Sequence, residues 1–132
     1  MERGSTESRP TILLVEDNDD IAVVYAEILR TLGYDVITAR DGESALRVFD
    51  DPAHGVALLL TDLAMPRMSG TDVVRALRER GIETPVIMLS GYPAPPGEAA
   101  RGDVAAWLQK PLEVEELLGA VERVLGARRR GQ

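Results

Sequence analysis

Cysteine is absent from the 132 residues. That excludes a disulfide framework and a thiolate zinc site. No apolar stretch is long enough to span a bilayer, and the chain does not open on a signal-peptide pattern. A cytoplasmic location without membrane insertion is therefore expected. Basic residues are outnumbered, 15 Lys and Arg against 22 Asp and Glu, for a net charge of −7. This argues against general nucleic-acid binding and is compatible with binding a cation. Histidine occurs once, as His54, in a loop beside Pro52 and Gly55. Its reading is a solvated loop residue and not a phosphate carrier. Lysine also occurs once, as Lys110, in a chain that otherwise uses arginine. Either that is chance in an Arg-biased composition, or one position needs a compact ammonium on a flexible stem, which a planar guanidinium cannot copy.

What is present is a regular alternation of short apolar runs and helical patterns, in a length suited to one domain with a core. The run Leu58–Leu59–Leu60–Thr61 ends abruptly on Asp62, followed by the Pro66–Gly70 loop. It reads as a buried parallel strand with a carboxylate at its carboxyl end. Four further strands are expected at Thr11–Val15, Asp35–Ala39, Pro85–Leu89 and Val104–Leu108, with the central one at Val56–Thr61. Between them, Ile21, Val24, Tyr25, Ile28 and Leu32 recur at helical spacing, with Asp19 as N-cap and Gly33 as a left-handed stop. A second helix spans 42–51 and buries Ala45, Leu46 and Phe49 before Asp51–Pro52 closes it. A third follows Gly70 with Val73, Val74 and Leu77 inward, stopping near Gly81. The last spans about 113–125 and turns Val114, Leu117, Leu118, Val121, Val124 and Leu125 inward. Between the fourth and fifth strands, Pro93, Pro95 and Pro96 leave room for about one helical turn, a shortened fourth helix.

The pattern is a doubly wound (βα)5 α/β fold with a five-stranded parallel sheet in the order 2-1-3-4-5. Residues 1–9 read as a disordered lead, 10–127 as the domain and 128–132 as a basic tail, too short for an output domain. There is no internal repeat and no linker.

In that order the strand ends converge on one edge of the sheet. Strand one brings Glu16 and Asp17, strand three Asp62, strand four Ser90, strand five Lys110. Asp17 and Asp62 face each other across the switch point, where open α/β sheets bind ligands. Three crowded carboxylates stay ionised when a cation sits among them. An all-oxygen ligand set suits Mg²⁺, or alternatively Mn²⁺. Lys110 and Ser90 add a positive charge and a hydroxyl, which suit an incoming phosphoryl group. Plainer readings stand beside these. Asp19 and Asp20 are an acidic first turn favoured by the helix dipole, and the lesser reading of Ser90 is an ordinary strand-end residue.

The residues Val15–Glu16–Asp17, Thr61–Asp62–Leu63–Ala64–Met65–Pro66 with Gly70, Ser90–Gly91 and Lys110–Pro111 together resemble the receiver domain of two-component response regulators. The likeness covers about 10–127. The resemblance implies a flavodoxin-like fold and a phosphorelay role: Asp62 takes a phosphoryl group from the phosphohistidine of a histidine kinase phosphotransfer domain. It implies Mg²⁺ held by Asp17, Asp62 and the backbone carbonyl of Ala64, with Glu16 acting through a metal-bound water. Lys110 would pair with the phosphoryl group and Ser90 would hydrogen-bond it and move toward it. Trp107 stands at the position of the switch aromatic, though it reads as well as a cover for the sheet edge. Lys110–Pro111 would be a cis peptide.

Three departures stand out. The proline-rich segment displaces most of the fourth helix, which leaves homodimerisation through the usual family face doubtful. Leu112 replaces a common aromatic, and Trp107 is larger than the usual switch residue. Competing classes fit less well. An aspartyl-nucleophile phosphatase needs a general acid two positions after Asp62, where Ala64 stands, so a switch and not a turnover enzyme is expected. A flavin module needs donors after strand one, where Glu16 and Asp17 repel phosphate. A phosphorylation-independent pseudo-receiver does not need every pocket residue. The context is either a stand-alone regulator or a receiver belonging to a hybrid histidine kinase, the proline-rich segment and basic end favouring the latter.

Overall fold

The computed structural model describes residues 9–93 and 104–130. The sheet is five-stranded and parallel in the order β2-β1-β3-β4-β5. The strands are β1 (Thr11–Val15), β2 (Asp35–Ala39), β3 (Val56–Asp62), β4 (Val86–Ser90) and β5 (Ala106–Gln109). The described helices are α1 (Asp19–Thr31), α2 (Gly42–Phe49), α3 (Gly70–Glu79) and α4 (Val114–Arg130), with a 3₁₀ turn at Pro52–His54. Residues 1–8 of the lead expected at 1–9, and the shortened fourth helix, lie outside the described residues, as do Ala94 to Gly97.

Each strand alternates its side chains between the two faces. Ile12, Leu14, Leu58, Leu60, Ile87 and Leu89 pack with α1 and α4 on one side. Leu13, Val15, Leu59, Val86 and Met88 pack with α2 and α3 on the other. The three inner strands are buried on both faces, which is why they read as continuous apolar runs and not as alternating ones.

Several boundaries and faces differ from the expectation. Asn18, not Asp19, caps α1, its side chain accepting from the Ile21 N–H at 3.1 Å. Asp19 and Asp20 form the acidic first turn. The face of α1 that meets the sheet is Ala22, Ala26 and Leu29, while Ile21, Val24 and Leu32 are exposed. Small alanines let the helix lie close to the sheet, and periodicity counted on large side chains passes over them. In α2, Ala45 and Leu46 are buried but Phe49, at its last residue, is only half-buried. In α4, Val114 is exposed and Ala120 takes a core position. That helix continues past Leu125 through Arg130. β3 and β4 run one residue further than expected, so Asp62 and Ser90 end the ladders themselves. β5 begins at Ala106 and not at Val104.

The loop that delivers Asp62 into α3 is tightly specified. Ser69 and Asp72 form a reciprocal capping box. Gly70 begins the helix where a Cβ would meet the Asp62 carbonyl oxygen and Met88 Sδ, each at 2.6 Å. Only glycine allows this helix end to close on the strand.

Candidate phosphoacceptor site

The ladder registers align the strand ends stepwise. Val15 pairs with Thr61, which places Glu16 beside Asp62. Asp62 pairs with Leu89, which places Ser90 next. Ser90 pairs with Gln109, which places Lys110 after it. Strand alternation then sorts the side chains. Glu16, Asp62 and Lys110 fall to the face of α1 and α4; Ser90 and Trp107 fall to the other.

On the first face the three groups are in contact. Lys110 Nζ lies 2.6 Å from Asp62 Oδ1 and 3.3 Å from Glu16 Oε1. Glu16 Oε2 accepts from the Asn18 N–H at 3.1 Å. Burial pushes the Glu16 carboxyl up from its ordinary value, against the Asn18 bond, with Asp62 adding to the rise and Lys110 opposing it. Burial pulls the Lys110 ammonium down, but its hydrogen bond to Asp62 and the charges of Asp62 and Glu16 outweigh that and raise it. Lys110 is thus firmly cationic. Carboxylate oxygens of Glu16, Asp17 and Asp62 all lie within 4.8 Å of one another, Asp17 exposed and the other two buried. This oxygen-only cluster fits a hard divalent cation, with Asp17 open to solvent for its waters. The Lys110–Pro111 peptide is cis, as expected.

The second face is arranged differently. Ser90 is buried, and its Oγ accepts from the Tyr92 N–H at 3.0 Å. Its carbonyl accepts from the Lys110 N–H at 2.7 Å, but among the described residues no hydrogen bond joins its Oγ to the Lys110 ammonium or the Asp62 carboxylate. Trp107 is partly buried against the α2/α3 core, and its buried Nε1 has no partner among the described residues. Ala64 lies exposed in the loop after Asp62. The structure therefore brings together Glu16, Asp17, Asp62 and Lys110, and sets Ser90 and Trp107 apart from them.

Sequence reasoning passed over three neighbours of the site. Tyr25 on α1 is half-buried, its phenol raised by burial and within reach of the charges of Lys110, Glu16 and Asp62. Arg40 and Arg67 flank Asp17 across a cleft. No local signal marks Arg40. Arg67 follows Pro66 in the loop after Asp62, a position that could have marked it.

Residues 12–122 match the family described as the response regulator receiver domain. The chain belongs to that family. The receiver is 36% identical over 116 residues to the transcriptional regulatory protein CpxR of Escherichia coli K12, covering 86% of this chain and 48% of CpxR. It thus spans about half the length of the curated relatives it matches. Among solved structures it is similar to the receiver domain of the hybrid histidine kinase CckA, at 34% identity and TM-score 0.74, covering 87% of this chain and 98% of that one. It is also similar to the response regulator TrrA of Thermotoga maritima in complex with Mg²⁺–BeF. There the identity is 27% and the TM-score 0.77, over 87% of this chain and 98% of that one.

Proposed function

We propose that this receiver is the phosphoacceptor of a two-component relay, with Asp62 as the acceptor. The observation that carries the reading is the contact set of Lys110 with Asp62 and Glu16 beside the exposed Asp17. An Asp62 oxygen attacks phosphorus, the phosphorus–nitrogen bond of a phosphohistidine breaks, and the imidazole leaves with the electron pair. Lys110 then pairs with the phosphoryl oxygens that replace its present contact. Asp17, Asp62 and the Ala64 carbonyl would hold Mg²⁺, with Glu16 acting through one of its waters. The ion supplies charge neutralisation for the phosphoryl oxygens. Ala64 offers no general acid for hydrolysis, so the acyl phosphate persists long enough to signal and is lost slowly. TrrA, a relative with Mg²⁺–BeF bound, supports the metal assignment.

The donor is the phosphotransfer domain of a histidine kinase, in the cytoplasm. Among the described residues no helix is long and apolar enough to cross a membrane. Ile21 and Val24, exposed on α1 shortly after Asp17, offer that donor an apolar landing beside the pocket. Neither nucleic acid nor the family's usual homodimer face enters this reading.

The test is intact-mass analysis after treatment with acetyl phosphate and Mg²⁺. One phosphate adduct is expected, labile to hydroxylamine and dependent on the metal. It should be lost in Asp62→Asn, and Asp17→Asn should weaken Mg²⁺ binding in calorimetry. An adduct of equal yield in Asp62→Asn places the nucleophile elsewhere.

A further inference from the structure

An incoming phosphodonor is an anion, and the pocket it must enter carries Glu16, Asp17 and Asp62 on a chain of net charge −7. The pocket's own cation, Lys110, is already held by Asp62 and Glu16. Less committed positive charge stands on the far side of Asp17. A cleft of about 340 Å³ is lined there by Asp17, Arg40, Asp41, Ser44, Pro66 and Arg67. Its walls come from three separate connections: β1 to α1, β2 into α2, and β3 to α3.

Arg40 Nε lies 3.3 Å from Asp19 Oδ1, both side chains more than two-thirds exposed. Arg67 Nη2 lies 3.7 Å from Asp41 Oδ2, with the arginine again exposed. Exposed pairs of this kind are weak and exchange readily. Asp41 is tied down, its Oδ1 capping α2 through the Ser44 N–H at 2.8 Å. Arg67 has φ +70°, alone in that region among the described non-glycine residues. Glycine is the usual occupant there, yet an arginine stands at the cleft.

We propose that Arg40 and Arg67 form a steering site for phosphate oxyanions, concentrating small free acyl phosphates beside Asp17 for transfer to Asp62. The proposal rests on the phosphoacceptor reading of Asp62. The arginines form no covalent bond. In the transfer, Asp62 attacks phosphorus, the bond to the acyl oxygen breaks, and the carboxylate departs with the electron pair. What the guanidinium groups change is the encounter rate, because opposite charge at the mouth of a cleft raises local substrate concentration.

The experiment compares the full chain with Arg40→Ala/Arg67→Ala and Arg40→Lys/Arg67→Lys. It measures the second-order rate of phosphorylation by acetyl phosphate at saturating Mg²⁺, from low salt to about 0.5 M, where screening is strong. The double alanine variant is expected to react about fivefold to tenfold more slowly at low salt, with wild type and variant converging at high salt. The double lysine variant should keep most of the rate, since steering needs charge and not a planar fork. Equal low-salt rates for wild type and the alanine variant overturn the proposal. So does a loss that lysine does not restore and that comes with altered Mg²⁺ affinity, which marks a structural role. If wild type takes up no phosphate, the phosphoacceptor reading itself falls, and the steering proposal with it.

Discussion

Glu16 is a carboxylate at 2% exposure, and its burial is offset on two sides, by the Asn18 N–H and by Lys110. Its pKa still lies above the ordinary 4.5. The folded protein therefore binds more protons than the unfolded chain between 4.5 and the raised value, so this group's contribution to stability falls as pH rises through that window. Lys110 has the same sign in a far higher window. Raised above 10.5, its contribution is complete below 10.5 and is lost only as pH rises through the folded value. The expected outcome in metal-free protein is that wild-type melting temperature falls relative to Glu16→Gln as pH moves from about 4.5 to neutrality. Mg²⁺ should then raise wild type more than the variant. Parallel melting profiles would show that Glu16 is not the buried charge argued here. Gly70 gives a second test at this scale. Gly70→Ala puts a Cβ 2.6 Å from the Asp62 carbonyl and Met88 Sδ. It should cost about 1–3 kcal/mol in urea denaturation, with Mg²⁺ affinity lowered because the Asp62 loop must shift.

At the scale of elements, α1 shows both what the sequence carries and what it hides. The helix was legible from apolar spacing, but of the five residues that spacing selected, Ile21, Val24 and Leu32 are exposed, and only Tyr25 and Ile28 are partly buried. The sheet-facing residues Ala22 and Ala26 are too small to weigh in such a pattern, although close approach of helix and sheet needs them small. The consequence is measurable. Leu29→Ala should cost about 2–5 kcal/mol, whereas Val24→Ala should stay within about 0.5 kcal/mol. Similar costs for the two would restore the stripe read from the sequence. Strand order and the convergence of Glu16, Asp17, Asp62 and Lys110 were legible because a parallel sheet places successive strand ends on one edge. The sorting of Ser90 and Trp107 to the opposite face was available from alternation, once Asp62 and Ser90 are counted as the last strand residues. Arg40 gave no such signal, because its place at the cleft depends on how two loops lean toward each other.

Across the whole molecule, strand alternation puts Glu16, Asp62 and Lys110 on the side of α1 and α4, and Ser90 and Trp107 on the side of α2 and α3. A signal that starts at Asp62 and ends at β5 has to cross the sheet at its carboxyl edge. Ser90 stands at that crossing, its Oγ now engaged by the Tyr92 N–H. Trp107, in register with Met88 on the neighbouring strand, buries an Nε1–H that has no acceptor among the described residues. A buried donor left unpaired costs about 1–3 kcal/mol, so the resting arrangement is poised against its indole. If an acyl phosphate on Asp62 draws Ser90 inward, the Tyr92 backbone is released and the ring can move to an acceptor. This is a population shift, and it requires the phosphoryl group to favour the inward state. The measurement is tryptophan emission and acrylamide quenching, first with Mg²⁺ alone and then with beryllium fluoride added. The expected result is a second change on adding the fluoride, absent in Asp62→Asn and in Ser90→Ala. Metal binding by itself alters the ring's surroundings, so the second step is the one that counts. If NMR shows the mimic bound while emission and quenching stay at their Mg²⁺ values, Trp107 is a fixed cover of the sheet edge. The response then leaves the domain on the face of α1 and α4, through Lys110 and the start of the last helix.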